Sequence, residues 1–376
     1  MKKYYRFSYE MLKRFSDEAF SRFGFSKEES EIITDVLLTS DLYGIDSHGV
    51  QRLVRYHKSI ESGMIDIKAM PEKVFETPVS CVIDGKGGMG QLIGYNAMKL
   101  AIEKAKNVGM AVVTVRNSNH YGIAGYYANM ACKEGLIGIS MTNTKAIMVP
   151  TFGRLAMLGS NPIAVAMPAE PYDFFFDSST TVVTRGKLEL YNKLEKELPE
   201  GWALGADGRG STDAGEVLKN IIGGTGGGIL PLGGEFEKTG SHKGYGYGMV
   251  CEIFTSILSM GMTSNHTYEG GVGGICHGFI VIDPKVFGDP SVIRDNLSRF
   301  LTELRESPKA IGADRIYTHG EKEYFAYRER LESGIDVDQK TTAEMIDLCH
   351  YLDMSVEDYL GEEAASLPWK KSDYKM

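Results

Sequence analysis

The chain has 376 residues, of which 43% are apolar, so it is longer than one hydrophobic core requires and is predicted to divide into two or three units. A formal net charge of -9 argues against a nucleic acid partner, because phosphate binding requires a concentrated positive surface. The first residues lack the apolar core of a signal peptide, and no apolar run approaches the roughly 20 residues of a membrane span. We therefore expect a cytoplasmic protein without a membrane partner.

Five cysteines are spread along the chain, and none forms a CxxC pair. An odd number of widely spaced cysteines in apolar or helical surroundings favours buried free thiols over a disulfide framework. Free thiols in turn indicate a reducing compartment. The residues are Cys81, Cys132, Cys251, Cys276 and Cys349.

The first strong helix signal is a capping box formed by Ser26 and Glu29, and Gly44 can end the helix that follows. The phrase DSHGV comes directly afterwards, at residues 46–50. Ser47 in this phrase is predicted to cap a second helix.

Three polar residues share one face of that second helix. His48, Arg52 and Tyr56 are spaced four residues apart, opposite an apolar face that includes Leu53 and Ile60. The three side chains should therefore project together. An ordinary solvated helix face has the same pattern, so the spacing alone does not establish a site.

A βαβ-like stretch follows, with a predicted strand at 79–83, a helix at 96–107 and a second strand at 110–115. The motif GKGGMG at 85–90 matches the GxGxxG pattern of dinucleotide-binding folds. That fold needs the helix to start at the last glycine and an acidic residue after the second strand. Here the second strand is followed by Arg116, which disfavours a Rossmann site. An arginine that holds a 2′-phosphate is the alternative.

A further predicted strand and a short apolar stretch each lead into polar residues. The strand at 136–141 runs into the phrase TNTK, which places Asn143 and Lys145 where α/β enzymes present ligand groups. A lysine on an ordinary surface is the alternative for Lys145. The apolar residues 174–176 meet Asp177 and a run of hydroxyls at the start of a helix, which is a plausible anion seat. Simple helix capping explains that run equally well.

Residues 199–240 are dense in glycine and are predicted to form a long irregular excursion, with a polar helix candidate that begins at Asp213. Order resumes at the phrase SHKGYGYG, residues 241–248, followed by an apolar helix at 249–260. Small residues at a helix start let a ligand approach the backbone, and Lys243 beside that positive end favours phosphate. Close helix packing is the competing interpretation.

Taken as a set, these phrases resemble the malate/L-lactate dehydrogenase family of the second type. That group includes sulfolactate and ureidoglycolate dehydrogenases, diketogulonate reductase and a cyclic imino acid reductase. The resemblance runs from about residue 8 to about residue 345. It rests on DSHGV at 46–50, RNSNHYGIAGYYA at 116–128, MTNTKAIMVPTFGRLAMLGSNPIAVAMP at 141–168, DSSTTVVTRGK at 177–187 and SHKGYGYGM at 241–249.

The resemblance implies an α/β chain with a mixed sheet and a family-specific nicotinamide-binding fold that is not a Rossmann fold. It also implies a homodimer or a higher oligomer. Residues 1–72 and 290–376 should form a helical domain built from both chain ends. Residues 73–125 and 250–289 should form an α/β domain for substrate binding and dimerisation, with 126–249 as the cofactor-binding domain.

Site residues are implied in the same way. The catalytic pair is His48 and His120, and substrate-binding residues are Ser47, Arg52, Tyr56, Asn143 and Lys145. The implied cofactor contacts are Asp177, Ser178, Ser179, Thr180, Thr181, Val182, Val183, Lys243, Gly244, His319, Gly320 and Glu321. The implied cofactor is NAD, with NADP as the alternative, and no metal is expected.

The chemistry suits these residue types. Reduction of a 2-oxo acid leaves negative charge on an oxygen, and an imidazolium within hydrogen-bond reach can neutralise it and act as the base in reverse. A substrate carboxylate needs a planar, permanently charged partner, and Arg52 supplies that geometry. Between the histidines we favour His48 as the proton donor.

Two other classes remain open at this point. A metal-dependent hydrolase could use His48, His120 and His242, although no HxxxH or HxxE spacing supports it. A non-catalytic ligand-binding protein of the same fold is the second alternative. Within the family, the sequence does not choose among malate, lactate, sulfolactate and bulkier acids.

Overall fold

The structure, a computed structural model, describes residues 4–269 and 273–368. The strands are β1 (Tyr4–Phe7), β2 (Glu72–Glu76), β3 (Ser80–Asp84), β4 (Met110–Ser118), β5 (Ile137–Thr142), β6 (Ile163–Met167), β7 (Phe174–Ser178), β8 (Ala203–Leu204), β9 (Gly228–Ile229), β10 (Ile275–Ile282) and β11 (Ile335–Asp338). The helices are α1 (Tyr9–Arg22), α2 (Lys27–Leu42), α3 (Leu53–Glu61), α4 (Gly90–Val108), α5 (Ala124–Lys133), α6 (Arg185–Lys193), α7 (Ala214–Gly223), α8 (Ser241–Glu252), α9 (Pro290–Glu306), α10 (Glu321–Ser333), α11 (Gln339–Tyr351) and α12 (Val356–Ala365).

A seven-stranded mixed sheet organises the middle of the chain, in the order β2-β3-β4-β10-β5-β6-β7. Only the β3–β4 pair is parallel, and β10 lies antiparallel between β4 and β5. The β10 sequence ICHGFIVI is almost wholly buried, as expected for a central strand covered on both faces. The predicted α/β class with a mixed sheet is confirmed.

Both chain ends build a separate helical part. β1 pairs antiparallel with β11, so that Phe7 lies opposite Ile335. An apolar cluster joins α1, α2 and α3 to α11 and α12, with Phe15, Leu37 and Met345 fully buried in it. These contacts join the two chain ends, and the limits of the predicted helical domain stay a prediction.

The sheet crosses one of the predicted domain limits. β10 belongs to the segment assigned to the substrate domain, whereas β5 belongs to the segment assigned to the cofactor domain, yet the two strands pair along their lengths. Backbone pairing therefore joins the two predicted domains into one sheet. The domain limit at residue 126 stays a prediction.

The stretch 199–240 is more ordered than its glycine content indicated. β8 and β9 pair with each other, and α7 packs Val217 and Ile221 into a small cluster with Leu188. The helix candidate at Asp213 is confirmed, since the Asp213 side chain caps α7. The rest of the stretch is more regular than the predicted irregular excursion, because a few apolar side chains fix α7 against α6.

The capping box is present at the start of α2. The Ser26 hydroxyl accepts a hydrogen bond from the Glu29 N–H at 3.3 Å, and the Glu29 carboxylate accepts one from the Ser26 N–H at 2.8 Å. The second predicted helix start, at Ser47, is wrong. Two short 3-10 turns occupy residues 46–48 and 50–52, and α3 begins only at Leu53.

The physical reason is the junction at Gly49. Its ψ of -148° interrupts the helix, and the carboxylate of Asp41 accepts the Val50 N–H at 2.7 Å. A Cβ on residue 49 would lie 1.8 Å from that carboxylate, so only glycine fits. A buried side chain from α2 thus replaces the capping role predicted for Ser47.

The glycine motif also differs from its prediction. α4 begins at Gly90, the last glycine of the motif, and not at residue 96. The loop nevertheless packs against its own chain, because a Cβ on Gly90 would lie 2.3 Å from the Asn119 carbonyl oxygen. Arg116, the candidate 2′-phosphate ligand, pairs with Asp84 at 3.1 Å. The glycine motif therefore lets α4 pack closely against the loop that contains Asn119, and it does not form a Rossmann-type phosphate-binding loop.

All five cysteines are free and buried, as predicted. Within the two described ranges, no helix has the length and apolar character needed to cross a membrane. The apolar helix predicted at 249–260 differs in its limits. α8 starts at Ser241 and changes into a π-helix over Ile253–Ile257.

The glycine motif yields a stability prediction. Gly90→Ala should lower the free energy of unfolding by about 1–3 kcal/mol, because the new methyl group meets backbone oxygens that cannot move aside. Gly246→Ala is the control, since nothing lies within 4 Å of its Cβ and it sits inside α8, so stability should rise by about 0.5–1 kcal/mol. Urea denaturation measures both, and equal effects would contradict the packing argument.

Candidate active site

A cavity of about 650 Å³ opens between α3, the loop after β4, the loop after β5 and the start of α6. This volume suits a small ligand with part of a cofactor. The structure places all the predicted catalytic and substrate-binding residues on its wall. They are Ser47, His48, Arg52, Tyr56, His120, Asn143 and Lys145.

His48 and His120 lie next to each other in this cavity. Their ring centroids are 5.5 Å apart and their planes are inclined by 23°. The Ser47 hydroxyl lies 2.9 Å from Nδ1 of His48. His120 is held from the other side, because the Tyr56 hydroxyl lies 2.7 Å from its Nδ1.

Both imidazoles are held neutral. Burial lowers the pKa of His48 to about 4, assisted by the positive charges of Arg52 and Arg55. Burial also lowers the pKa of His120 well below its usual range, again assisted by the neighbouring cations. An anion bound in the cavity would offset those positive charges and raise both pKa values.

The two arginines that act on the histidines have no carboxylate partner among residues 4–269 and 273–368. Arg52 donates through Nε to the Ser47 carbonyl oxygen at 2.6 Å, which leaves the rest of its guanidinium free. Arg55 is exposed and hydrogen-bonds Tyr268, which lowers the pKa of that phenol against the larger effect of burial. Both therefore offer charge to an anionic ligand.

Asn143 is fully buried, and its amide is already engaged. Its Nδ2 donates to the Met262 carbonyl oxygen at 2.8 Å, and its Oδ1 accepts the Cys276 N–H at 2.8 Å. This bonding suits a residue that shapes the cavity wall. Lys145 differs, because its side chain is exposed at the cavity and has no ion pair within the described part of the chain.

Sequence reasoning missed Glu252, which organises the floor behind Asn143. This carboxylate accepts hydrogen bonds from Asn161 at 2.8 Å and from Ser256 at 2.7 Å, and it also contacts the Ser264 hydroxyl. The sequence does contain a signal for it, because Glu252 is a lone glutamate in an otherwise apolar helix. A charge in such a position is expected to be buried and to need hydrogen bonds from neighbouring side chains.

His277 on β10 was missed as well. It lies between the hydroxyls of Thr142 at 2.8 Å and Ser118 at 2.9 Å, and its ring stacks on Tyr121 at 4.2 Å. Burial lowers its pKa to about 3, so it is a neutral bridge between strands.

The predicted cofactor segment 177–183 lies beside the cavity and leads into it. Asp177 accepts the Gly125 N–H at 2.7 Å, and burial raises the pKa of its carboxyl to about 6. Thr180 donates to the Ser160 carbonyl oxygen at 3.1 Å. The next residues line the cavity: Thr184, Arg185 and Gly186.

The other predicted cofactor contacts in this segment are bonded locally. Ser178 donates to the Ser179 carbonyl oxygen at 3.1 Å, and Thr181 donates to that of Val183 at 2.7 Å. The N–H of Val182 donates to the Leu230 carbonyl oxygen at 2.9 Å. These bonds fix the course of the backbone toward the cavity.

Lys243 is exposed in the first turn of α8 and does not line the cavity. Gly244 serves close packing, because a Cβ there would lie 2.4 Å from the backbone of Leu232. His319 packs its ring edge against Phe176 at 5.3 Å.

Gly320, at a φ of 99°, lets the chain approach β7, where a Cβ would lie 2.7 Å from the Asp173 carbonyl oxygen. Glu321 is fully buried and pairs with Arg315. His242, considered above as a metal ligand, is exposed on α8 outside the cavity.

Arg55 and Asn119 line the cavity but are not among the residues predicted from the sequence. Arg55 follows Arg52 by three positions, so helical spacing was a usable signal. Asn119 gave no such signal, because its side chain donates to the carbonyl oxygens of Gly87 and Gly88 in a loop distant along the chain.

Known proteins resemble this chain over almost its whole length. The sequence pattern described as malate/L-lactate dehydrogenase matches residues 7–346. The chain belongs to the malate/L-lactate dehydrogenase family. The predicted family and the predicted activity class, a 2-hydroxy acid oxidoreductase, are thereby confirmed.

Individual members of the family show the extent of the similarity. The malate dehydrogenase of Pyrococcus horikoshii is 42% identical, over 91% of this chain and 94% of its own length. The L-sulfolactate dehydrogenase of Methanocaldococcus jannaschii is 34% identical, over 91% and 96%. The crystal structure of malate dehydrogenase from Entamoeba histolytica superposes with a TM-score of 0.91 at 36% identity, covering 97% of this chain and 100% of that one.

The lowered pKa of His48 predicts a pH profile for this member of the family. A histidine acts as a base only when neutral, and a lowered pKa extends the neutral range toward acid. Oxidation of a 2-hydroxy acid should therefore keep its kcat/KM as the pH falls from 8 toward 5, without the loss that an ordinary histidine shows near 6.5. Arg55→Met removes a positive charge, which should raise the pKa of His48 and shift the acidic decline of kcat/KM to higher pH. A wild-type decline near pH 6.5 would refute this.

Proposed function

We propose that this chain interconverts malate and oxaloacetate, with NAD as the cofactor and NADP as the alternative. The observation that carries the proposal is a pair of arginines, Arg52 and Arg55, that form no ion pair with a carboxylate in the described part of the chain. They lie beside two neutral histidines in one cavity. A 2-oxo dicarboxylate brings two negative charges to this place. The malate dehydrogenases among the relatives support the same assignment.

The two arginines suit the two ends of such a substrate. Arg52 lies deeper and is partly buried, where its free guanidinium edge can grip the carboxylate next to the reacting carbon. Arg55 lies one helical turn further along α3, at the exposed mouth, where it can reach a second anionic group. A monocarboxylic acid would leave Arg55 without a partner.

The histidines supply the proton chemistry. In oxidation, a neutral imidazole accepts the proton of the 2-hydroxyl group and becomes an imidazolium, and in reduction it returns that proton to the oxygen. A nicotinamide cofactor, when bound, supplies the hydride transfer to and from carbon 2. The substrate's negative charge stabilises the imidazolium, because it counteracts the two arginines.

The residues of the cavity fit a nicotinamide cofactor. Ile147, Pro162 and Ile275 provide an apolar wall for a flat ring, and Thr144 and Ser160 provide hydroxyl groups. The segment 177–183 reaches the cavity at Thr184, so its residues would hold the remainder of the cofactor. Lys243, at the start of α8, would bind its phosphates.

The proposed homodimer is supported by an apolar stripe on α8 and the π-helix after it. Ile257 is 55% exposed and Met260 is 68% exposed, an arrangement that a single chain leaves facing water. A second copy would cover these side chains, and a mass of only 41.4 kDa by light scattering would contradict this. The five unpaired thiols support the proposed cytoplasmic location.

Sulfolactate is the second candidate substrate, since its sulfonate also gives a dianion. The L-sulfolactate dehydrogenase of Methanocaldococcus jannaschii favours it, at 34% identity. The same arginine pair would hold the carboxylate and the sulfonate. A comparison of turnover on the two acids separates these candidates directly.

The decisive experiment is a panel of 2-oxo acids with NADH and with NADPH. Oxaloacetate should exceed pyruvate in kcat/KM, and Arg55→Met should reduce that ratio about tenfold or more, the loss expected for one charge-assisted hydrogen bond. Arg185→Gln is the comparison variant, because Arg185 is already paired with Glu189 at 2.9 Å. If Arg185→Gln lowers the ratio and Arg55→Met does not, Arg185 holds the second anion.

A second experiment tests the cofactor assignment of Lys243. Lys243→Ala should weaken NADH binding about tenfold or more by titration calorimetry, because a charge-assisted contact to phosphate is lost. Lys238→Ala, an exposed lysine just before α8, is the matched control for general charge effects. Equal affinities in wild type and Lys243→Ala would remove Lys243 from the cofactor site.

A further inference from the structure

Tyr56 and Gln91 form a buried pair next to His120. Tyr56 is 1% exposed and Gln91 is 0% exposed, and Gln91 lies in the first turn of α4. The Tyr56 hydroxyl reaches Nδ1 of His120 at 2.7 Å. Gln91 does not line the cavity and has no part in the chemistry described so far.

The contacts at Nδ1 of His120 indicate which of its ring nitrogens carries the proton. The Gly122 N–H approaches Nδ1 of His120 at 3.4 Å, and a backbone N–H can only donate. At 3.4 Å this contact is long for a hydrogen bond, so it favours Nδ1 as an acceptor without fixing the tautomer alone. The Tyr56 hydroxyl, 2.7 Å away, fixes it when it donates to the same nitrogen. In a neutral imidazole the proton then resides on Nε2.

The side-chain amide of Gln91 is unusual for a fully buried group. Neither atom of its amide has a hydrogen-bond partner within the described ranges, although buried amides are normally satisfied. The amide is nevertheless close enough to the Tyr56 hydroxyl to lower the pKa of that phenol, against the larger effect of burial, which raises it to about 12. Hydrogen bonds at active sites often align fully only when substrate is bound.

We propose that Gln91 is a positioning residue that sets the tautomer of His120 through Tyr56. Gln91 follows Gly90, which packs against the His120 backbone, so its unpartnered amide lies beside the Tyr56–His120 pair. A Gln91 N–H turned toward the Tyr56 oxygen would occupy that oxygen as an acceptor, so that the Tyr56 O–H donates to Nδ1 of His120. The imidazole is then held with its proton on Nε2. The catalytic meaning of this relay rests on the proposed function.

The relay from Gln91 through Tyr56 to His120 gives the two histidines different roles. His120, with its proton fixed on Nε2, donates a hydrogen bond to the substrate oxygen and keeps its proton. Among residues 4–269 and 273–368, the one hydrogen-bond partner of His48 Nδ1 is the rotatable Ser47 hydroxyl, which can donate or accept, so the tautomer of His48 can change. In oxidation the hydroxyl proton therefore passes to His48, and in reduction His48 returns it.

The test reads the tautomer directly, in the cofactor-free protein labelled with ¹⁵N at histidine. His120→Asn identifies the His120 signals by their loss. Three variants probe the relay: Tyr56→Phe, which removes the hydroxyl; Gln91→Glu, which offers Tyr56 an acceptor in place of a donor; and Gln91→Met, which keeps the volume. Ser16→Ala is the control, because Ser16 is another fully buried hydroxyl without a partner, in α1.

We expect the wild-type signal of the Nε2–H tautomer, and a mixture of tautomers in Tyr56→Phe and Gln91→Glu. The kcat for reduction of a 2-oxo acid should fall at least about tenfold in both, with KM nearly unchanged, because the lost interaction acts on the reacting oxygen. Gln91→Met should lie between these variants and wild type, and Ser16→Ala should match wild type.

Two results would overturn the relay. One is a wild-type His120 with its proton on Nδ1, and the other is a loss of kcat in the variants while the tautomer stays unchanged. If the tautomer shifts as expected but no 2-oxo acid is reduced by the wild-type protein, the relay stands and the proposed function fails. Thermal unfolding of each variant shows whether the fold is kept.

Discussion

The close approach of α4 to the loop that carries His120 is the contact on which the cavity depends. Gly90 lies so near the carbonyl groups of Asn119 and His120 that no side chain fits between them. The Asn119 amide closes the other side by donating to the carbonyl oxygens of Gly87 and Gly88. The backbone of His120 is thus held on two sides, in addition to the contact between its imidazole and Tyr56. The proposed role of His120 in catalysis requires such support, because small displacements of reacting atoms are costly.

Desolvation gives this rigid frame its chemical character. Two imidazoles and two guanidinium groups line one wall of the cavity. Burial and the neighbouring positive charges keep the imidazoles neutral. An anionic substrate reverses that balance by supplying the missing negative charge. The same groups therefore favour binding of an anion and prepare a proton donor only when the anion is present. The family assignment and the electrostatics of the cavity agree on this point.

Sequence spacing predicted the membership of the cavity better than its local structure. The predicted face of His48, Arg52 and Tyr56 survives, although the continuous helix behind the prediction does not. A 3-10 turn and a glycine break still leave these side chains on one side, since the chain keeps turning in the same sense. The carboxylate of Asp41 that causes the break lies in α2, so local pattern carried no information about it. The glycine motif failed for the same reason, because its partner, the loop of Asn119, is distant along the chain.

By itself the sequence determined the α/β class, the family, the free cysteines and the residue types that line the cavity. These follow from composition, periodicity and ordered motifs, which are properties of neighbouring residues. Only the tertiary structure decided how the groups are coupled. Asn143 became part of a buried network around Glu252, and Gly244 became a packing contact with Leu232. Asn119 joined the cavity wall through long-range contacts with Gly87 and Gly88, which sequence spacing does not encode. Long-range packing decides which polar groups are already satisfied, and therefore which remain free to act on a substrate.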